Sequence, residues 1–532
     1  MDSLYKKYFN ELLNLNPSIN DFLGLEEYKN IKHRFENTLD DTYISKQKDL
    51  CKKYLTLVKK KEKLNHFDRV LKYNLSLELE YYDYQLIYLT LDHENNPISF
   101  FCETAAGDLF YKFKTNKDYY DFVLKTKDFV KYLESCIRYM KVGIEKKIIL
   151  PKILSEKLYD QLIDIVKNKP YIKKNVPKNL KIDYNKTIED LLLPVLKKLI
   201  LFMKTEYIKN SRNTYGISNL PNGKKMYEYL VRKNLGLKSV NIKDIHDYGL
   251  SEVKRIQNEM IAIKNRFSFK GNLQKFNEYF KNRKDLKFKN KQELLKIYRS
   301  MQKEINNTVI KQLFKTDISH ECLITPVPKF NEKHAPSAYY IPGSIDKKRK
   351  GKFYINCLNL EDLSKAEVES LTLHETIPGH HFQLTTMLDS KLPLFIKSSS
   401  GNETAYEEGW ALYCETLGEY KTKESYYGKL NAEMLRAVRL VVDTGIHYYN
   451  WNPEKSIKYM MKYCFDDKDI ITSEVYRYMA YPAQALSYKM GERIFHKLKK
   501  KYVDSGKLDI KEFHKRCLRF GSMPIHLLES SF

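Results

Sequence analysis

From residue 1 to about 320, apolar side chains recur three and four positions apart between charged runs. Leu250, Val253, Ile256, Met260 and Ile263 are one example, and the spacing is that of helices with one buried face. Clusters of Pro, Gly and Asn break the pattern at Asn95-Asn96-Pro97, Asn168-Lys169-Pro170 and Leu220-Pro221-Asn222-Gly223. These are short enough to be turns between helices rather than flexible linkers. Near residue 320 the period changes. The stretches Ala338 to Ser344 and Gly351 to Asn356, flanking the basic turn Lys347 to Lys350, predict short strands. Helical spacing resumes after Ser364, whose distance from Glu367 predicts a capping box at the start of a helix running into His374. The pattern predicts a mainly α fold with a small β-sheet (α+β). A helical scaffold over 1–320 walls part of a cleft, a second region over 321–532 carries the chemistry, and the two form one intertwined unit.

Composition narrows the class. Hydrophobic residues at 42% and aromatic residues at 13% exclude a disordered chain. The formal charge of +26 invites a nucleic-acid partner. Its lysines, however, are spread along the chain among many Tyr, Asn and Ile, the mark of a coding sequence rich in A and T. No specific nucleic acid is expected, and the charge acts on solubility and encounter rate. The eight cysteines form no Cys-x-x-Cys pair and read as reduced thiols. Neither a signal-peptide core nor a run of eighteen apolar residues is found, so the expectation is a soluble cytoplasmic protein with no membrane partner.

The chemistry concentrates in His374-Glu375-Thr376-Ile377-Pro378-Gly379-His380-His381. Val368, Leu371, Leu373 and Ile377 point around the helix, which predicts burial on all sides. A buried imidazole and carboxylate are costly unless paired or metal-bound. In the familiar zinc motif, two histidines four residues apart share a helix face and the intervening glutamate activates water. Here position four after His374 is Pro378, which removes an amide and distorts the helix. With Gly379, the distortion would bring His380 inward as though two residues had been inserted. Without it, His381, two turns on, shares the face of His374 but lies roughly 10 Å along the axis. His380 is preferred and His381 stays open. A third ligand is sought on a neighbouring helix, where Glu408 precedes Gly409. That glycine would let the helix approach the metal helix closely, Glu415 would orient a ligand from behind, and Glu407 would face solvent.

The string His374 to Gln383, followed by Glu408-Gly409-Trp410-Ala411-Leu412-Tyr413, resembles the bacterial family called domain of unknown function 885 (DUF885), placed with the gluzincin peptidases. Gly216 to Tyr227, Asp247 to Val253, Pro342-Gly343-Ser344, Tyr481 to Gly491 and Gly521-Ser522-Met523-Pro524 are similar to its other motifs, so the likeness spans roughly 150 to 532. The glutamate before Gly-Trp-Ala also resembles the third zinc ligand of gluzincin aminopeptidases. What the resemblance implies is a peptidase fold, here with one Zn2+, and the helical bulk around one site predicts an enclosed cleft.

On this reading Glu375 is the general base in hydrolysis of short peptides. Tyr488, Tyr481 and Arg477 lie in a segment comparable to those carrying oxyanion-stabilising tyrosines, with Tyr488 the candidate donor. Arg477 is a candidate for a peptide's terminal carboxylate, and the strand ending at Asn356 for pairing with an extended substrate. Each residue has a plainer rival. A lone His-Glu pair is ordinarily structural, but two more histidines and Glu-Gly-Trp-Ala tip the balance to metal. With 42 tyrosines, any one near a motif is more often packing. His246, His334 and His526 read as core or surface histidines. The alternative function is an inactive peptidase-fold protein that binds protein or nucleic acid.

Overall fold

A computed structural model describes residues 3–28, 34–94, 96–106, 113–172, 175–315, 321–329, 332, 336–399 and 401–532. Asn95 and His334 thus lie outside the described residues. The fold is mainly helical with one small sheet, and the chain divides into two units, Met1–Met226 and Tyr227–Phe532.

In the first unit, Asp40, Asn65 and Thr115 turn side-chain oxygens onto the free N–H groups that open helices Asp41–Lys59, His66–Asp83 and Asn116–Glu145. Phe101 stacks on Phe122 and Phe129 at centroid separations of 5.4 and 4.3 Å, forming part of an aromatic core. The breaks read from the sequence close helices or turns: Lys169 (φ 50°) ends Lys152–Asn168, and Asn222 takes φ 57°.

The second unit holds the candidate chemistry. Its relevant helices are α1 (Ile242–Arg266), α2 (Lys291–Ile305), α3 (Val368–Glu375), α4 (His380–Asp389), α5 (Thr404–Glu415), α6 (Lys423–His447), α7 (Lys468–Ala480) and α8 (Ser487–Tyr502). The division falls well before residue 320 because α1 packs on α6 and α2 packs on α3 and the sheet. On α1, Val253, Ile256, Met260 and Ile263 are buried as the period predicts, but Leu250 is 42% exposed. Gly249 takes the inner position instead, where a Cβ would fall 2.8 Å from Leu440 of α6.

Strands β1 (Leu323–Pro326), β2 (Ala338–Ile341) and β3 (Lys352–Ile355) make a sheet in the order β1-β3-β2, with β3 parallel to β1 and antiparallel to β2. Ile324, Phe353 and Ile355 pack with Leu294 and Tyr298 of α2 and Val368 of α3, so the sheet is seated on the start of the helix that leads into His374. Ser364 caps a short turn, Lys365–Glu367, that leads into α3, accepting from the Ala366 N–H at 3.2 Å. The reciprocal half of the predicted capping box is absent because the Glu367 carboxylate accepts from Asn431 of α6 instead. Among the described residues no helix is long and apolar enough to cross a membrane.

Candidate metal centre

The motif does not form one kinked helix. Helix α3 stops at Glu375, Thr376 leaves helical geometry (φ −110°, ψ −97°), and α4 starts at His380. The Phe382 N–H reaches back to the Thr376 carbonyl at 3.1 Å, a six-residue span where a continuous helix has four. This is the two-residue insertion inferred from Pro378. Gly379 is required there, because a Cβ would lie 1.8 Å from the His374 carbonyl oxygen. From α5, the Trp410 indole N–H donates to the Pro378 carbonyl at 2.8 Å, tying the break to the helix that carries Glu408.

The break brings His374, His380 and Glu408 together, with one ligand atom from each within 4.8 Å of the others. The Nε2 atoms of His374 and His380 lie 3.4 and 3.6 Å from Glu408 Oε2. The imidazole rings stand at 90° to one another. Oε2 is buried with no hydrogen-bond partner, a costly state for a carboxylate oxygen in a protein interior. Behind His374, Glu415 meets Nδ1 at 2.8 Å, which leaves Nε2 to face the centre. Side-chain exposures of 4% for His374, 13% for His380 and 19% for Glu408 mean that the cluster opens on the His380 and Glu408 side. Without a cation, burial opposes a charged His374, but Glu408 and Glu415 outweigh it and push the pKa up to about 10. Burial likewise opposes ionisation of Glu408, yet the two imidazoles hold it well below the usual carboxylate range. Two nitrogens, one carboxylate oxygen and an outer carboxylate on the first histidine fit the donor set of a zinc ion with an open position.

Glu375 is buried beside this group. Its charge adds to burial in raising the pKa values of Cys322 at the sheet and Tyr298 on α2. His381 faces the other way. Its Nδ1 meets the Tyr340 hydroxyl of β2 at 2.9 Å, over Gly351, where any Cβ would collide with both rings. His381 therefore does not join the cluster. Glu407 corrects a second expectation. It is buried rather than solvent-facing, accepting from Ser522 Oγ at 2.6 Å and the Gly401 N–H at 3.0 Å, and burial lifts its pKa to about 7. Gly409, too, serves another contact than expected: its missing Cβ admits Gly491 of α8, not the metal helix.

The proposed substrate residues divide. Tyr488 on α8 is close enough to Glu408 for that carboxylate, after burial, to raise its pKa, and its ring lies 4.7 Å from the Arg439 guanidinium. Tyr481 is 41% exposed. Arg477 is turned to Glu474 (Nε to Oε1, 3.2 Å) and to Gln484 (Nη1 to Oε1, 2.9 Å), so its fork is engaged within the protein. Asn356 follows β3, the central strand, both of whose edges are already paired, and its amide donates to the Glu332 carbonyl at 2.7 Å. It cannot accept an added strand without dismantling the sheet. The plain histidines behave as packing residues: His246 meets Thr444 and His526 the Gly236 carbonyl. Tyr340 and Asp443 were not foreseen. Asp443, fully buried, accepts from the Tyr227 hydroxyl at 2.6 Å and from the N–H of Ala483 (φ 70°) in the turn before Tyr488. No local spacing signals either contact.

No curated protein matches the chain. Among solved structures it is similar to "the putative lipoprotein from Colwellia psychrerythraea", with a TM-score of 0.87 and 22% identity over 99% of this chain and 97% of that one. It is also similar to a lipoprotein of unknown function from Shewanella oneidensis, described in the same terms, with a TM-score of 0.74 and 15% identity over 99% and 98% of the two chains. At these identities the likeness speaks for the fold alone. The family model for "Bacterial protein of unknown function (DUF885)" matches residues 17–531, reaching much further toward the N-terminus than the motifs do, and the chain belongs to that family.

Proposed function

We propose that this chain is a zinc-dependent metallopeptidase of the gluzincin kind, hydrolysing peptide bonds of short peptides. The observation that carries the reading is the convergence of His374 Nε2, His380 Nε2 and the unpartnered Oε2 of Glu408, with Glu375 next to His374 in the chain. When bound there, zinc would polarise the scissile carbonyl and lower the pKa of water at the site. Glu375 accepts the proton of the attacking water and delivers it to the leaving amine. Glu415 holds His374 in the tautomer that presents Nε2. Tyr488, beside Glu408, is the candidate donor to the oxygen on which charge develops. Tyr481, exposed at the turn before it, is the candidate substrate contact. An enclosed cleft at this cluster, as the helical bulk of the chain leads us to expect, would favour short peptides over folded proteins. A cytoplasmic setting fits the eight unpaired cysteines.

The test is elemental analysis of purified protein followed by a peptide-library digest, with Glu375→Gln as control. One zinc per chain and cleavage reduced about 10²- to 10⁴-fold by the substitution is the expected result. Zinc without any Glu375-dependent cleavage would replace the peptidase with a binding module.

A further inference from the structure

A cavity of about 630 Å³ opens between α2 and the outer edge of β1, and Ile377 of the His374–His381 segment forms part of its lining. Ile377 stands two residues after Glu375 and three before His380, so cavity and candidate centre share a wall. The helical wall is polar by design of its spacing. Arg299, Gln302, Lys303 and Asn306 fall at i, i+3, i+4 and i+7 and so project nitrogen-bearing side chains from one face. The Arg299 Nη2 donates to the Ile324 carbonyl at 2.9 Å, which pins the guanidinium to the strand edge. Among the described residues no acceptor meets the Lys303 ammonium or the rest of the Arg299 fork. On the strand side, the Thr325 hydroxyl is buried without a partner. Among the described residues of the lining, Arg299 and Lys303 face one acidic residue, Glu321, and the Gln302 amide is turned to the Cys322 carbonyl, so this part of the lining carries one surplus positive charge.

An anion that reaches this place together with a peptide held at Glu375 comes from the peptide itself. Each residue of extended chain spans at most about 3.5 Å, so the group must sit close in sequence to the bond being cut. Arg offers a planar fork suited to a carboxylate, and Lys adds a mobile point charge. Arg477, the earlier candidate for this role, has its fork on Glu474 and Gln484. We propose that the cavity bounded by Arg299, Lys303 and Thr325 seats a carboxylate of the peptide substrate, and that the chain thereby selects peptides acidic at or near one end. The proposal rests on the peptidase reading for the position of the scissile bond, while the binding itself does not require cleavage.

The carboxylate has two sources, the chain terminus and an Asp or Glu side chain. The experiment therefore uses three matched short peptides: a free-acid terminus, the same sequence as an amide, and the amide with one added Glu near its end. Anisotropy of labelled peptides on the zinc-loaded Glu375→Gln chain reads binding, and kcat and KM on the unsubstituted chain read turnover. The expected result is about tenfold tighter binding and lower KM for an acidic peptide over the plain amide. Whichever acidic peptide shows it identifies the source. R299A/K303A should erase that ratio, and R299E/K303E should reverse it toward a peptide ending in Lys. K303A alone, at an exposed position, covers the case in which changes at Arg299 disturb the strand edge, and should reduce the ratio in part. Equal binding of acid and amide peptides, or a ratio unmoved in all three variants, overturns the carboxylate site even if peptides are cleaved. A ratio of the expected size on a chain that cleaves nothing would leave the site standing and overturn the peptidase.

Discussion

Two carboxylates of the second unit, Glu433 buried and Glu408 partly so, are treated in opposite ways. Glu433 on α6 is surrounded by cations: Lys489 Nζ lies 2.6 Å away, and Lys429 and Arg255 are also bonded to it. Burial opposes its charge, yet these three hold its pKa far below the ordinary carboxylate range. Among the described residues, no Lys or Arg meets Glu408 on α5. It faces the Nε2 atoms of two imidazoles at 3.4 and 3.6 Å, and the oxygen turned to them has no hydrogen bond. Burial of charge alone therefore does not identify a metal site, because structural ion networks bury charge as well. The informative feature is that two imidazole Nε2 atoms and one carboxylate oxygen converge on one point, where the described residues place no Lys or Arg.

The contrast breaks most sharply under paired substitution. Glu408→Gln should lower zinc affinity by more than about 100-fold, beyond the range of outer-sphere changes, with a smaller loss of unfolding free energy in the zinc-free chain than Glu433→Gln causes. Glu433→Gln should do the converse. Removing the anion leaves Lys489, which is 2% exposed, short of one partner, and unfolding free energy should fall by about 3–5 kcal/mol at unchanged zinc stoichiometry. Zinc titration and denaturant unfolding on both variants decide the matter. If Glu433→Gln loses zinc, or Glu408→Gln keeps it, the two carboxylates are not of different kinds.

A smaller effect is expected one step out. Glu415 accepts from His374 Nδ1 at 2.8 Å, with Arg436 Nη2 at 3.9 Å from the same carboxylate. Glu415→Gln keeps the shape but removes the charge that orients the ring. Zinc affinity should weaken about 10- to 100-fold, measured by competition with a chelator. An unchanged affinity would make Glu415 a packing residue.

Why some of this was legible in the chain and some not follows from the range of each interaction. Pro378 and Gly379 act on the backbone within a turn, so the two-residue insertion and the preference for His380 could be read locally. Glu408 was readable because its motif carries Gly409 and Trp410, although the glycine does other work than first inferred, meeting Gly491, and the tryptophan's hold on the Pro378 carbonyl was not read at all. Glu407 was misread because a solvent face was assumed for α5, whereas Ala405, Tyr406, Trp410, Leu412 and Tyr413 are all buried, leaving no outer side at that end. The role given to Asn356 failed on strand order, since the last strand in sequence is the central one in space, and no local pattern encodes that. The i, i+3 spacing of Glu474 and Arg477 was a visible sign that the guanidinium is held at home.

A third buried carboxylate sharpens the comparison, because among the described residues Asp443 is bonded to no Lys, Arg or His. Among the described residues it accepts from the Tyr227 hydroxyl and the Ala483 N–H, and burial lifts its pKa from 3.8 to about 7, against the pull of those two bonds and the more distant charge of Arg477. The folded chain thus binds a proton here that the unfolded chain has already released above pH 3.8. The resulting stability is fully present below that value and is lost as pH rises through about 7. Asp443→Asn cannot titrate and retains one acceptor for the turn. The gap in unfolding free energy between the original chain and this variant should shift by about 1 kcal/mol against the original chain between pH 6 and pH 7, and level off above that window. Guanidinium midpoints of both chains across that range measure it. A gap that stays constant would mean that Asp443 is already ionised in the fold, and that two neutral donors suffice to hold a buried carboxylate charged.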